Sequence, residues 1–319
     1  MTIKPVLLEG NYSSHFVNKH GIAYSCDRYP KILSSDQREI DPLDYENIND
    51  GDRVYVITSA LPNWFQFVYP RLLERKIRII LVTGDSIQSA PLGIFSDGID
   101  SFENLMRQGI ILHWFCQNCD FPDHDQITPI PLGIDYHTRH RGKAKGEPSK
   151  SFFSQDANLI ELNKGQLCRA SWLSKKAKIF VDAHLSKWTN PADREEASIV
   201  ANSSSLFELL PNRLPREDFW MTMRQFRFVL SPLGAGLDCH RTWEALALGC
   251  VPILKKTSIS SLFKGLPILW VDDYRDINAA LLEKVMVPEY WCNDQEKLLM
   301  LDYWVGLIMA NKRNYLSNE

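Results

Sequence analysis

The sequence predicts an α/β protein of two domains, each a doubly wound parallel sheet. Three observations lead there. Short apolar runs recur along the chain, stretches long enough for helices separate them, and the runs are continuous instead of alternating, as strands buried on both faces require.

In the first half the runs cover residues 54–58, 77–83 and 109–115, with helical stretches at 64–76 and 101–108. After Ile134 the chain turns polar, with Gly142, Gly146 and Pro148, so the domain connection falls within 136–171, part of it helical over 156–173. The second half repeats the alternation at 178–181, 226–230, 251–254 and 268–271, followed by helices at 277–284 and 294–311.

Composition narrows the functional classes. The chain has 319 residues, a hydrophobic fraction of 45% that allows a sizeable core in each domain, and a net charge of −3 that gives no reason to expect nucleic acid. The basic run at 137–145 reads as a solvated linker. Seven cysteines, an odd and scattered number, make no disulfide framework and fit a reducing compartment. Cys116 and Cys119 form a CxxC, but no second pair lies at zinc-finger spacing. Residues 1–24 contain no uninterrupted apolar core and no span of 18 apolar residues follows, so the expectation is a cytoplasmic protein without a membrane anchor.

The most informative stretch is FRFVLSPLGAGLDCHRTWEALALGCVPIL, residues 226–254. It reads as a buried strand, a turn enforced by Ser231, Pro232, Gly234 and Gly236, a helix with Asp238 as its N-cap and Gly249 at its end, and a second strand. On that helix Cys239, Thr242, Trp243, Ala245 and Leu246 form an apolar arc, and His240, Arg241 and Glu244 share the other arc. Cations and a carboxylate at a helix start, behind glycines, suit a diphosphate with a hydroxylated sugar beside it. The same three side chains also suit a solvated face with i,i+3 and i,i+4 pairs. The glycine pattern lacks the third glycine of the dinucleotide fingerprint, which argues against hydride transfer.

Around these residues the chain resembles the exostosin-type glycosyltransferases, whose C-terminal domain carries a similar SP.G.G.D..R.WEAL..GC.P element. The resemblance extends to ILVTGDS at 80–86, WFCQNCD at 114–120, ITPIPLGID at 127–135 and SSLFKGLPILWVDDY at 260–274. It is nearest to the short soluble members of bacteria and large algal viruses, some of which transfer xylose. It implies the GT-B arrangement, two Rossmann-like domains facing a cleft. The domains would then be residues 1–160 on the acceptor side, 161–285 for the nucleotide sugar, and 286–319 as helices that cross back to the first domain or fill a core of their own.

Ligands of open parallel sheets collect at the carboxyl ends of the strands, which gives weight to polar residues just past an apolar run. Asp85, past residues 79–83 and matched to the family's GDS, is the candidate base for inverting sugar transfer; it equally suits a turn or N-cap. Arg194 follows Asn190, Pro191 and Asp193, an apparent N-cap, first helical position and capping box. A donor diphosphate or its acidic neighbours would offset its charge in that first turn. Ser231, Gly234, Gly236, His240, Arg241 and Glu244 complete the donor set, with Glu244 accepting from ribose hydroxyls. Asn118, Asp135 and His137 are candidates for the acceptor side, and Trp64 for stacking on a sugar ring, although ordinary loop polarity and a core position suit them too. Asp123, His124 and Asp125 spell DxD, but in a polar loop instead of at a strand end, so no metal is expected. The expectation is an inverting, metal-independent glycosyltransferase needing no cofactor, with a UDP-sugar as donor and a glycan as acceptor. A non-catalytic binding module and a sugar-nucleotide epimerase are the alternatives.

Overall fold

A computed structural model describes residues 14–95, 97–140, 147–182, 190–291 and 293–316, of which 293 and 313–316 by backbone alone. It is an α/β protein with two separate parallel sheets. The chain divides into two units, Met1–Leu132 with Met300–Glu319, and Gly133–Leu299.

The first sheet has four strands in the order β1 (Asp52–Ile57), β2 (Ile79–Gly84), β3 (Ile111–Cys116) and β4 (Ile127–Pro129), every pair parallel. All residues of β1 and β2 are buried, so both faces are covered. Right-handed crossovers between strands in sequential order put the connecting helices Leu61–Phe67, Tyr69–Arg75 and Ile99–Arg107 on one face. Lys19–Tyr24 and the last helix, Leu301–Leu316, pack against each other and against the strands, covering the other face. The single helix expected over 64–76 is two helices. Pro70 cannot donate to the turn before it, so the first helix stops at Phe67 and a second starts at Tyr69.

The second sheet runs β6 (Phe207–Leu209), β5 (Lys176–Val181), β7 (Phe226–Leu230), β8 (Val251–Lys255), β9 (Leu269–Val271), again all parallel. Strand order reverses here. The chain goes from β5 out to β6 and returns on the other side of β5 to form β7. Ile179, Val181, Phe228, Leu230, Val251 and Ile253 form the core with Ala197 and Val200 of helix Pro191–Ser203.

The unit boundary falls before residue 160 because residues 133–163 are built into the second unit. Tyr136 donates to Asp156 (2.6 Å), Gln155 donates to the carbonyl of Tyr136 (2.9 Å), and Tyr136 meets the ring of Trp220 edge-on. The helix expected over 156–173 is interrupted at Gly165, whose φ of 70° ends Phe152–Asn163 before Arg169–Ser174 begins. Gly142, Gly146 and residues 141–145 of the basic run lie outside the described residues.

Candidate active site

Reversal of strand order opens a crevice past the carboxyl ends of β5 and β7, where open α/β sheets bind ligands. Asp182 follows β5 and Ser231 follows β7. Arg241 reaches them from helix His240–Ala247: its Nη2 donates to Asp182 Oδ2 (2.9 Å) and its Nη1 lies 3.9 Å from Cys239 Sγ. Its buried Nε has no hydrogen-bond partner among the described residues. Burial disfavours the guanidinium charge, but Cys239 and Asp182 outweigh it and raise the pKa.

The alternative of a solvated helix face is excluded. Arg241 to Ala247 are all buried, Arg241 at 9% and Glu244 at 2% exposure. Asp238 is not the N-cap. Its carboxylate accepts from Trp243 Nε1 (3.0 and 2.9 Å) and from the Cys239 N–H (2.7 Å), and Cys239 occupies the cap position with no side-chain capping bond. The Cys239 side chain thus leaves the first N–H groups of the helix uncapped by its own thiol. At the other end Gly249 is left-handed, φ 66°, as expected, and a β-carbon there would stand 2.3 Å from the Gln166 carbonyl.

Nor is there a capping box at Asn190. Asn190 is left-handed (φ 44°) and its amide donates to the Gly234 carbonyl (2.5 Å); the Asp193 carboxylate accepts from the Leu233 N–H (2.9 Å) and the Tyr274 hydroxyl (3.2 Å). Arg194 Nε donates to the Leu233 carbonyl (2.9 Å). Tertiary bonds to the glycine loop have taken the side chains that local capping would use. Gly234 is needed for close approach, since a β-carbon would lie 2.5 Å from the Asp238 carbonyl oxygen. Burial lowers the pKa of Arg194, and Arg241 is among the charges acting on it, so two cations share this crevice. Ser231 Oγ lies 2.9 Å from Thr242 Oγ1. Next to it a shallow recess is lined by Ser231, Leu237, Thr257, Phe263 and Trp270.

Glu244 is held by Arg216, 2.5 Å away, whose other nitrogen donates to Asp135 Oδ2 (2.7 Å). Burial raises the Glu244 carboxyl to about 7, against Arg216 and Arg241 and with Asp135. His240 does not lie with Arg241 on a solvent face; its Nδ1 is 2.6 Å from the Gly133 carbonyl. Of the acceptor-side candidates, Asp135 and His137 join His240 in the second unit, whereas Asn118 and Trp64 belong to the first. The Asn118 amide donates to the Ser86 carbonyl (2.9 Å), which uses it for loop structure. Trp64 is fully buried among Tyr45, Phe65 and Tyr69, so it is a core residue and not a stacking platform. Asp123 and Asp125 are exposed loop residues.

Asp85 stands past β2 with φ 54° and is 1% exposed. Its carboxylate contacts Lys19, lies 3.2 Å from His20 Nε2 and accepts from Ser35 (2.5 Å). Burial alone would raise its pKa; the His20 bond and the Lys19 charge outweigh it and hold the carboxyl well below the usual range. Lys19, His20, Asp182 and Arg216 were not singled out in the sequence. Asp182 had a signal, because it is the first polar residue past an apolar run.

No family model matches the chain, and no curated protein does. Among solved structures it is similar to the UDP-forming alpha,alpha-trehalose-phosphate synthase of Burkholderia vietnamiensis (TM-score 0.45, 10% identity, covering 85% of this chain and 74% of that one). It is also similar to alpha,alpha-trehalose 6-phosphate synthase of Burkholderia multivorans (TM-score 0.45, 12% identity, 87% and 74%). A third is an E. coli trehalose-6-phosphate protein bound with UDP-2-fluoro glucose (TM-score 0.40, 13% identity, 87% and 74%). No helix among the described residues is long and apolar enough to cross a membrane.

Proposed function

We propose that this chain is a glycosyltransferase of exostosin type that moves a sugar from a UDP-linked donor to a carbohydrate acceptor with inversion. The observation that carries the reading is the buried Arg241 guanidinium, whose Nε has no partner among the described residues, at the crevice of the strand-order reversal and at the start of a helix. Arg241 and Arg194 offset the charge that a leaving diphosphate gathers, so its departure needs no cation there. Xylose is the sugar the family resemblance favours.

Asp85 is the proposed base, its carboxylate held ionised beside Lys19 and His20. One observation favours a second reading, a nucleotide-binding module without turnover: the Asp85 carboxylate is already engaged by Lys19, His20 and Ser35.

A panel of UDP-, GDP-, dTDP- and CMP-sugars in a thermal-shift assay, followed by NMR of the product anomer, tests both. Saturation at ~100 times Kd adds ~2.7 kcal/mol, and the expectation is a rise with the UDP class alone and a product anomer opposite to the donor's. A folded sample that responds to none overturns the donor site. Binding without turnover across a glycan acceptor panel selects the module.

A further inference from the structure

Asp135, His137 and His240 come from two separate parts of the second unit, the segment after Gly133 and the first residue of helix His240–Ala247. One ligand-type atom from each lies within 4.8 Å of the others, and all three side chains are half-buried, so the cluster keeps one side open to solvent. The two imidazole rings are 5.3 Å apart, and His137 Nδ1 is 2.8 Å from Asp135 Oδ1. Metal bonds of ~2.0–2.2 Å need the ligand atoms closer than that outer limit, so an ion would draw the three side chains together.

What surrounds the three groups matches the outer shell of a metal site. The Gly133 carbonyl, 2.6 Å from His240 Nδ1, accepts a hydrogen bond from that nitrogen's N–H, fixing the ring and making Nε2 the lone-pair nitrogen. Arg216 donates to Asp135 Oδ2 (2.7 Å), and the Thr138 N–H donates to Oδ1 (3.0 Å), so the carboxylate is oriented from both oxygens. Arg216 also bridges to Glu244, which balances its charge. Two imidazoles and one carboxylate are a donor set for zinc, cobalt(II), nickel or iron(II); magnesium and calcium prefer oxygen alone.

We infer that Asp135, His137 and His240 bind one divalent transition-metal ion of the zinc class, with an open fourth position. The ion ties the 133–137 segment to the start of the helix that carries Arg241. This inference stands on the cluster and does not depend on the proposed sugar transfer.

The test is cobalt(II) titration of chelator-treated, full-length protein, followed by visible absorption and by metal analysis after desalting. One equivalent is expected to bind with the intense d–d bands of a four-coordinate ion, and one equivalent of zinc bleaches them. His137→Ala and His240→Ala, each shown to be folded by circular dichroism, lose the bands, and Asp135→Asn weakens binding by about tenfold or more. His124→Gln, in the loop after β3, leaves the titration unchanged. Absence of bound cobalt in the wild type overturns the site, as do weak six-coordinate bands that survive in both histidine variants. Because the wild-type titration alone can refute the inference, a variant that fails to fold does not rescue it.

Discussion

Arg241→Lys separates a grip on diphosphate from the stability of the fold. Lysine keeps the positive charge and its ammonium can still meet Asp182, whose carboxylate is only 16% exposed and stands 2.9 Å from the present guanidinium. Alanine would strip that carboxylate of its cation, and breaking a buried pair costs ~3–5 kcal/mol, so a loss of binding would be confounded by a loss of structure. What lysine removes is the planar fork, including the Nε N–H that no described residue uses. A hydrogen bond to a charged group contributes ~1.5–3 kcal/mol, which is roughly 10–150-fold in Kd. Isothermal titration of UDP into wild type and Arg241→Lys is therefore expected to show a weakening of that size, with melting temperatures close together. A Kd within about twofold of wild type, in a variant that melts like wild type, would refute the assignment of this guanidinium to the diphosphate.

Gly249→Ala forces a side chain into the left-handed region and against the Gln166 carbonyl, so urea unfolding is expected to show a loss of ~2 kcal/mol or more; a change under ~0.5 would mean that the turn relaxes freely. Asp85→Asn leaves buried Lys19 without its carboxylate, for an expected loss of ~3 kcal/mol at pH 7. The folded pKa of Asp85 is depressed, so its contribution is fully present above the unfolded value of ~3.9 and disappears as pH falls through the folded one. Acid titrations followed by circular dichroism should thus converge for variant and wild type at low pH, and parallel curves would contradict the ion-pair account.

Strand and helix ends are legible in the sequence where special residues mark them. Strand β7 was placed at its observed bounds because Ser231 and Pro232 stop it, and the following helix ends at the glycine that the left-handed turn requires. Strands β4 and β6 are not legible, since no apolar run marks them off and pairing with their neighbours fixes them; β9, equally short, lies within the apolar run 268–271. At both candidate helix starts the structure departs from the expected caps for one reason. Asn190, Asp193 and Asp238 have the right chemistry for caps, but partners distant in sequence or on the next turn compete for the same oxygens and nitrogens, and here they win. Arg216 could not be singled out, because a cation at the start of an ordinary helix says nothing of Asp135 and Glu244 meeting it. Trp64 illustrates the reverse, an aromatic residue after a strand that the hydrophobic effect claims for the interior.

Asn190, Asp193 and Arg194 fasten the 233–236 loop at three points, and this bears on how such a protein can change its ligand. A loop already immobilised by its neighbours has little freedom left to lose when an anion arrives, so recognition there is preset. The same fastening makes the loop intolerant of insertions, because any change in length pulls on the first turn of helix Pro191–Ser203. Under the proposed reading, change of ligand is left to side chains beside the loop, such as Thr257, Phe263 and Trp270, where a substitution alters shape without disturbing the three fastenings.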